Sequence, residues 1–271
     1  MTGLLEVRNL RKAFQVKGAD GLEELVALED LSFDLARGSS LAVVGESGSG
    51  KTTLARIIAG LQPATSGSVT FDGKPLAPPR RLVDRIARAR EIQMVFQDPF
   101  GSLDPIQRLG SSLEEILNLH YPGDRAWRRR RVDELLEQVG LSQEFRERTP
   151  RSLSGGQRQR FAIAKAIALE PRLIVLDECV SALDVSVQAQ VLNLLSDLRQ
   201  ALGISYLFVS HDLAVVRQVC DQCLVMQFGK LVEMGPTQLV LNAPQEPYTK
   251  SLLAAVPRPG WRPSKRTQVH Q

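Results

Sequence analysis

Residues 45–52 read Gly-Glu-Ser-Gly-Ser-Gly-Lys-Thr, and this octapeptide constrains the fold more tightly than any other stretch of the chain. It fits G-x-x-x-x-G-K-[ST] in full, a pattern that works where a buried strand runs into a glycine-rich turn and then a helix start. Ser40–Val44 before it is a compact apolar run, and Thr52–Ala59 after it reads as a helix. Gly45, Gly48 and Gly50 let the backbone close around phosphate with no Cβ in the way. With Glu46, Ser47 and Ser49 they expose amide N–H groups that form an anion nest at the positive end of that helix. Lys51 adds a point charge for β- and γ-phosphates, the Thr52 hydroxyl suits Mg2+, and Thr53 is placed for an α-phosphate.

A second feature supplies the counterpart. Leu173–Glu178 reads Leu-Ile-Val-Leu-Asp-Glu, an apolar strand ending in two acids. A carboxylate at the end of a buried strand is costly unless it meets a cation. Asp177 is therefore the candidate for orienting Mg2+, and Glu178, one step further, for polarising an attacking water. The plainer reading is a helix-capping pair, which the upstream phosphate loop makes the minor one.

Around these motifs the chain alternates strand and helix at both ends. Leu4–Val7 and Leu31–Leu35 read as short strands by alternation, Ser68–Phe71 as a strand before an Asp-Gly turn, and Glu91–Phe96 as another short strand. Leu173–Leu176, Ser205–Val209 and Cys223–Met226 read as buried strands, and Gln188–Leu202 as an amphipathic helix stopped by Gly203. Between Asp104 and Ala168 the apolar spacing is helical, punctuated at Pro122-Gly123 and Thr149-Pro150. The expected fold is an α/β core with an inserted helical subdomain. No internal repeat is seen.

Bulk properties exclude several classes. At 271 residues and 43% hydrophobic, the chain suits one large domain or two closely joined subdomains with a sizeable core. No apolar run approaches the roughly 20 residues that span a bilayer. Met1–Leu10 lacks a signal pattern, so residence in the cytoplasm is expected. The net charge of +4 gathers in clusters: Arg80, Arg81, Arg85, Arg88 and Arg90; Arg128 to Arg131; and Arg258, Arg262, Lys265 and Arg266. Such clusters suit nucleic acid or anionic lipid, but neighbouring Glu91, Asp133, Glu134 and Glu137 dilute them, and solvated helix faces are the expected reading. Three cysteines argue against a disulfide framework. Cys220 and Cys223 form a lone C-x-x-C, expected to pack beside a buried strand rather than to bind zinc or cycle redox states.

Leu153-Ser154-Gly155-Gly156-Gln157 separates this chain from other phosphate-loop proteins. It is a glycine-rich helix start, able to hold a γ-phosphate through Ser154 and the amides of Gly155 and Gly156. It resembles, letter for letter, the signature of ATP-binding cassette (ABC) ATPases. Other marks follow in order. Gln97, in Val-Phe-Gln-Asp-Pro, resembles the Q-loop glutamine that senses Mg2+ and contacts the membrane partner. Ser181-Ala182-Leu183-Asp184 resembles the D-loop at the dimer interface. His211, in Val-Ser-His-Asp, resembles the switch histidine. Phe14 resembles the aromatic that stacks on adenine, with Phe33 a rival and core packing a live alternative.

The resemblance spans roughly residues 4–256. It implies a P-loop NTPase (RecA-like) core, an N-terminal antiparallel β subdomain and an inserted helical subdomain. Residues 1–96 and 166–235 are expected to form the nucleotide-binding core, 97–165 the helical subdomain and 236–271 a C-terminal extension. The implied ligands are ATP and Mg2+, with Glu178, His211 and Gln97 catalytic. Thr52, Gln97 and Asp177 face the metal, while Ser154, Gly155, Gly156, Gln157 and Asp184 face nucleotide bound by a partner. Two departures stand out: Cys179 follows the glutamate where Pro or Ala is common, and Arg151-Ser152 leads into the signature.

Gln97–Pro105 (QDPFGSLDP) and Glu246–Pro257 (EPYTKSLLAAVP) resemble the dipeptide and oligopeptide importer group, where His is common at position 246. Nickel and metallophore importers share these marks. The implied partners are two integral membrane permease subunits, a second ABC ATPase subunit in a heterodimer and, indirectly, an extracytoplasmic solute-binding protein. The implied place is the cytoplasmic face of the bacterial inner membrane. A soluble ABC ATPase acting on nucleic acid or ribosomes is the alternative from a different class. It requires coiled-coil or zinc insertions or a second cassette, none of which this sequence has, so no nucleic acid partner is expected. A non-catalytic cassette is disfavoured by the intact Glu178 and His211.

Overall fold

Strands buried on both faces read as continuous apolar runs because neither face meets water, and the central sheet is built from three of these. A computed structural model describes residues 3–18, 21–79, 81–98, 101 and 103–255. The strands and helices in chain order are β1 (Leu5–Gly18), β2 (Gly21–Leu35), β3 (Ser40–Val44), α1 (Lys51–Ile58), β4 (Ser66–Phe71), β5 (Lys74–Pro75), α2 (Leu82–Glu91), β6 (Ile92–Val95), α3 (Leu109–His120), α4 (Arg125–Gln138), α5 (Gly155–Ile167), β7 (Leu173–Asp177), α6 (Val185–Leu202), β8 (Ser205–Val209), α7 (Leu213–Val219), β9 (Gln222–Gln227), β10 (Lys230–Pro236), α8 (Thr237–Asn242) and α9 (Pro247–Ala254).

The larger sheet has the order β10-β9-β3-β8-β7-β6, parallel except for β10. Every residue of β3, β7 and β8 is buried. Alternate residues of these strands enter separate cores. Ala42, Val44, Ile174, Leu176, Tyr206 and Phe208 face one, with the helices α3 to α6. Leu41, Val43, Leu173, Val175, Leu207 and Val209 face the other, with α1 and the smaller sheet. That sheet is antiparallel, in the order β2-β1-β4-β5. The expected architecture, an α/β core with an antiparallel β layer and inserted helices, is the one observed.

Several local expectations need correction. Leu4–Val7 and Leu31–Leu35 are the ends of much longer strands, β1 and β2, paired from Leu5↔Leu35 to Gly18↔Gly21. Alternation fails between them because the ladder shifts register after Val7, Leu10 and Lys12. Asn9 and Asp30 take positive φ there (47° and 51°), with Asn9 Nδ2 donating to Asp30 Oδ1 at 2.6 Å. The Glu91–Phe96 strand is narrower, Ile92–Val95, because Glu91 ends α2. The helical stretch 104–168 is broken by 3-10 turns at Gln143–Glu147 and Pro150–Ser152.

The arginine clusters are not simply solvated faces. Arg88 donates to Ala77 O at 2.6 Å and Arg90 to the His120 carbonyl, so α2 is strapped to its neighbours. Arg131 bridges Glu134 and Glu170 at 3.1 and 2.9 Å. Arg80 and the basic residues from 258 onward lie outside the described residues, as do Pro99, Phe100, Ser102, Val256 and Pro257 of the two importer-like stretches. Among the described residues no helix is long and apolar enough to cross a membrane.

Candidate active site at the carboxyl ends of the parallel strands

β3, β8 and β7 are adjacent, so the segments leaving their carboxyl ends converge, the usual place for a ligand in a parallel sheet. β3 runs into the glycine loop, β8 into Ser210-His211, and β7 into Asp177-Glu178. Gln97 follows β6 at the edge.

The loop is anchored on its inner limb and open on its outer one. A Cβ on Gly45 would meet Met226 O at 2.2 Å, and one on Gly50 would meet Ala27 O at 2.5 Å, so both positions must be glycine. Glu46, Ser47 and Gly48 are exposed, while Ser49 is buried. The φ of +81° at Gly48 places its outer face toward open space. Gly50 begins α1 with no side-chain cap, leaving the helix start to a ligand. Lys51 is 5% exposed, and its ammonium donates to Gly45 O at 2.9 Å and Glu46 O at 2.7 Å. Burial pulls its pKa below the ordinary value, against the opposing charges of Glu178, Asp177 and Glu46.

Thr52 Oγ1 lies 3.4 Å from Asp177 Oδ1, across 125 residues of sequence. Burial pushes the Asp177 carboxyl above its usual range, with Glu178 adding to it, while the Thr52 hydrogen bond, Arg56 and Lys51 pull the other way. A buried carboxyl beside a hydroxyl is an oxygen-only donor pair, the set that a hard divalent cation prefers. Thr53 is half-buried on the next position of α1.

Glu178 is the hub. Gln97 Nε2 donates to its Oε2 at 3.0 Å, and His211 Nδ1 lies 3.3 Å from its Oε1. Its backbone has a φ of +48°, an uncommon conformation for a residue with a Cβ. The conformation is held by its N–H on Val209 O at 2.9 Å and by its carbonyl, which accepts from Ser181 Oγ at 2.9 Å. The structure thus brings Gln97, Glu178 and His211 together beside Lys51, Thr52 and Asp177.

The remaining residues lie on other elements, and Gly155 lines a cavity with Gln97 and Cys179. Ser154 caps α5 in a reciprocal box with Gln157: Ser154 N donates to Gln157 Oε1 at 3.0 Å, and Gln157 N to Ser154 Oγ at 3.3 Å. Ser154 and Gly155 are exposed, and Gly156 is buried against Val187 of α6. Asp184 caps α6, its Oδ1 accepting from Val187 N at 2.9 Å and Ser186 Oγ at 2.7 Å. These bonds hold its carboxyl below the usual range. Phe14 is half-buried on β1 with the Lys12 ammonium 5.0 Å from its ring centre, whereas Phe33 is 4% exposed within the core. Of the two, Phe14 is the more exposed.

All three cysteines are buried, and burial pushes the Cys179 and Cys223 thiols up to about 12. Cys220 is raised as well. Cys220 and Cys223 pack in the larger core, the place expected of them beside a buried strand. Sequence reasoning missed a contact to the loop: Glu46 N donates to the Tyr248 hydroxyl of α9 at 3.3 Å. Tyr248 sits in the quoted EPYT stretch, but a partner 202 residues away leaves no local signal.

Comparison with known proteins gives the family. The ABC transporter family model matches residues 28–181, and that of the oligopeptide/dipeptide transporter C-terminal region matches residues 232–271. A Brucella ovis protein named for peptide import ATP binding is 47% identical over 267 residues, covering 98% of this chain and 82% of its own. The dipeptide transport ATP-binding protein DppF of Escherichia coli K12 is 46% identical over 257 residues, covering 94% and 77%. Among solved structures, the ATP-binding cassette MJ0796, a dimer in a post-hydrolysis state with ADP and Pi, superposes with a TM-score of 0.76 at 29% identity. The match covers 86% of this chain and 98% of that one. A phosphate loop, a Glu178 hub and a signature helix on one cassette fold, with relatives of this closeness, leave one assignment: the chain belongs to the ATP-binding, ATP-hydrolysing subunits of ABC transporters, in their oligopeptide and dipeptide group.

Proposed function

We propose that this chain is one of two cassette motors of a bacterial importer for dipeptides and oligopeptides, seated on the cytoplasmic face of the inner membrane. The observation that carries the reading is the convergence of Gln97 and His211 on Glu178, next to Lys51 and the Thr52–Asp177 pair. The peptide class rests on the names of the relatives and on the C-terminal region match.

In this reading Lys51 and the loop amides bind the ATP phosphates, and Phe14 stacks on the base. Glu178 accepts a proton from the attacking water, and His211 and Gln97 hold the water and γ-phosphate in line. The oxygen donors Thr52 and Asp177, with Gln97 nearby, fit Mg2+, which when bound offsets phosphate charge. Ser154, Gly155, Gly156, Gln157 and Asp184 serve ATP held by the second cassette, a role supported by the exposure of Ser154, Gly155 and Asp184. The partners are two permease subunits, a second and different ABC ATPase and, through the permeases, a solute-binding protein. Residues 1–96 and 166–235 act as the nucleotide core, 97–165 as the helical subdomain and 236–271 as the extension.

The test is reconstitution of the chain in vesicles with the permease, cassette and binding-protein genes beside it. Dipeptide-loaded binding protein should stimulate ATP hydrolysis. Stimulation by a nickel chelate and not by dipeptides would move the chain to the metallophore importers.

A further inference from the structure

The peptide group between Gly45 and Glu46 is held at both ends. Its carbonyl, Gly45 O, accepts from the Lys51 ammonium at 2.9 Å. Its N–H, on Glu46, donates to the Tyr248 hydroxyl at 3.3 Å. A peptide unit is planar and its C=O and N–H point in opposite directions, so fixing one end fixes the other. The next carbonyl, Glu46 O, also accepts from Lys51, at 2.7 Å. Tyr248 therefore stands on the far side of the same short lever that seats Lys51.

Tyr248 is itself seated firmly. It lies in the first turn of α9, whose N-terminus is capped from β10: Glu233 accepts from Gln245 N at 2.9 Å and from Glu246 N at 3.3 Å. Lys250 Nζ closes that turn on Gln245 O at 3.0 Å. Tyr248, Leu252 and Leu253 pack on the larger core. The outer limb of the glycine loop is otherwise exposed at Glu46, Ser47 and Gly48, so the tyrosine hydroxyl is a brace on its open side.

We propose that Tyr248 is a positioning residue for nucleotide binding, and that the C-terminal helix α9 preorganises Lys51 through the Gly45–Glu46 peptide. The proposal rests on the reading of residues 45–52 as the nucleotide loop and deepens it. With the hydroxyl gone, that peptide keeps one of its two anchors, the seat of Lys51 is held by the ammonium alone, and more of the loop's ordering falls to the ligand at a cost in affinity. Conversely, bound nucleotide should stiffen α9.

The experiment uses the full chain, Mg-ADP as the probe and calorimetric titration. Tyr248→Phe keeps the ring and its packing and removes one neutral hydrogen bond, so the Kd for Mg-ADP should rise about two- to tenfold. Amide exchange in α9 should slow on Mg-ADP addition in the natural chain and not in Tyr248→Phe. In a Lys51→Ala background, Tyr248→Phe should add no further loss, because the hydroxyl acts through Lys51. A lower Tm with unchanged Kd makes Tyr248 merely structural and overturns the proposal. An equal loss in both backgrounds overturns the Lys51 linkage. Failure of the natural chain to bind Mg-ADP refutes the nucleotide loop itself, and the brace falls with it.

Discussion

The chain presents two glycine-rich helix starts, and they are built in opposite ways. α1 begins at Gly50 with no side-chain cap and with Lys51 buried beneath the loop, next to Asp177 and Glu178. α5 begins at Ser154, capped reciprocally by Gln157, exposed, and with no charged group of the hub bonded to it. The first surface has its donors, its charge and its acid in one chain. The second is closed by its own capping box, Ser154 with Gln157. In the proposed reading, such a chain carries one half-site with the hydrolytic groups and one complementary half-site. That asymmetry fits the reading in which each ATP lies between two cassettes.

The most damaging way to probe the contrast is Glu178→Gln, which keeps shape and removes charge. Single-turnover ATP hydrolysis at this chain's own loop should fall about 10²- to 10⁴-fold, the effect of losing a general base. A wild-type rate, measured with any partner site silenced, would break the claim that the chemistry resides in the first half-site. Next in size is Lys51→Ala. A charge-assisted hydrogen bond contributes about 1.5–3 kcal/mol, so the Kd for Mg-ATP should rise roughly tenfold to a hundredfold. Near-normal affinity would show that amides alone hold the phosphates, and would bring the two helix starts closer in kind.

The smallest effects separate packing from binding within the second half-site. A Cβ on Gly156 would meet Val187 Cγ1 at 2.3 Å, whereas one on Gly155 finds Leu183 Cδ2 at an ordinary 3.5 Å. Gly156→Ala should cost about 1–3 kcal/mol in denaturant unfolding, as overpacking does, and Gly155→Ala should cost less. Equal losses would mean that the wedge of α5 against α6 is not what requires glycine at 156.

Much of this was legible in the sequence, for identifiable reasons. Ser40–Val44 and Ser205–Val209 were read to the residue, because strands buried on both faces leave an unbroken apolar run flanked by polar breakers. Gly203 was legible as the stop of α6, and its φ of +65° is the left-handed cap that glycine adopts freely. The hairpin of β1 and β2 was read only at its ends. Its far portion carries exposed Leu22 and Leu25 and charged residues with no buried face, so no period of two survives there. The arginines of α2 and α4 looked like surface charge, since carbonyl and carboxylate partners such as Ala77 and Glu170 are distant in the chain or leave no pattern.

The sequence by itself determined the residue types that phosphate and a metal require: glycines at 45, 48 and 50, Lys51, Thr52, and acids at 177 and 178. Those are chemical requirements, local in the chain, and they leave motifs. Tertiary structure alone decided which groups meet. Gln97 and His211 reach Glu178 because their strands lie beside β7 in the sheet, and Phe14 rather than Phe33 stays partly exposed because Phe33 packs in the core. Tyr248 reaches Glu46 because α9 packs beside the loop. The order of strands in a sheet and the docking of a terminal helix follow from burial summed over the whole chain, which no short stretch records.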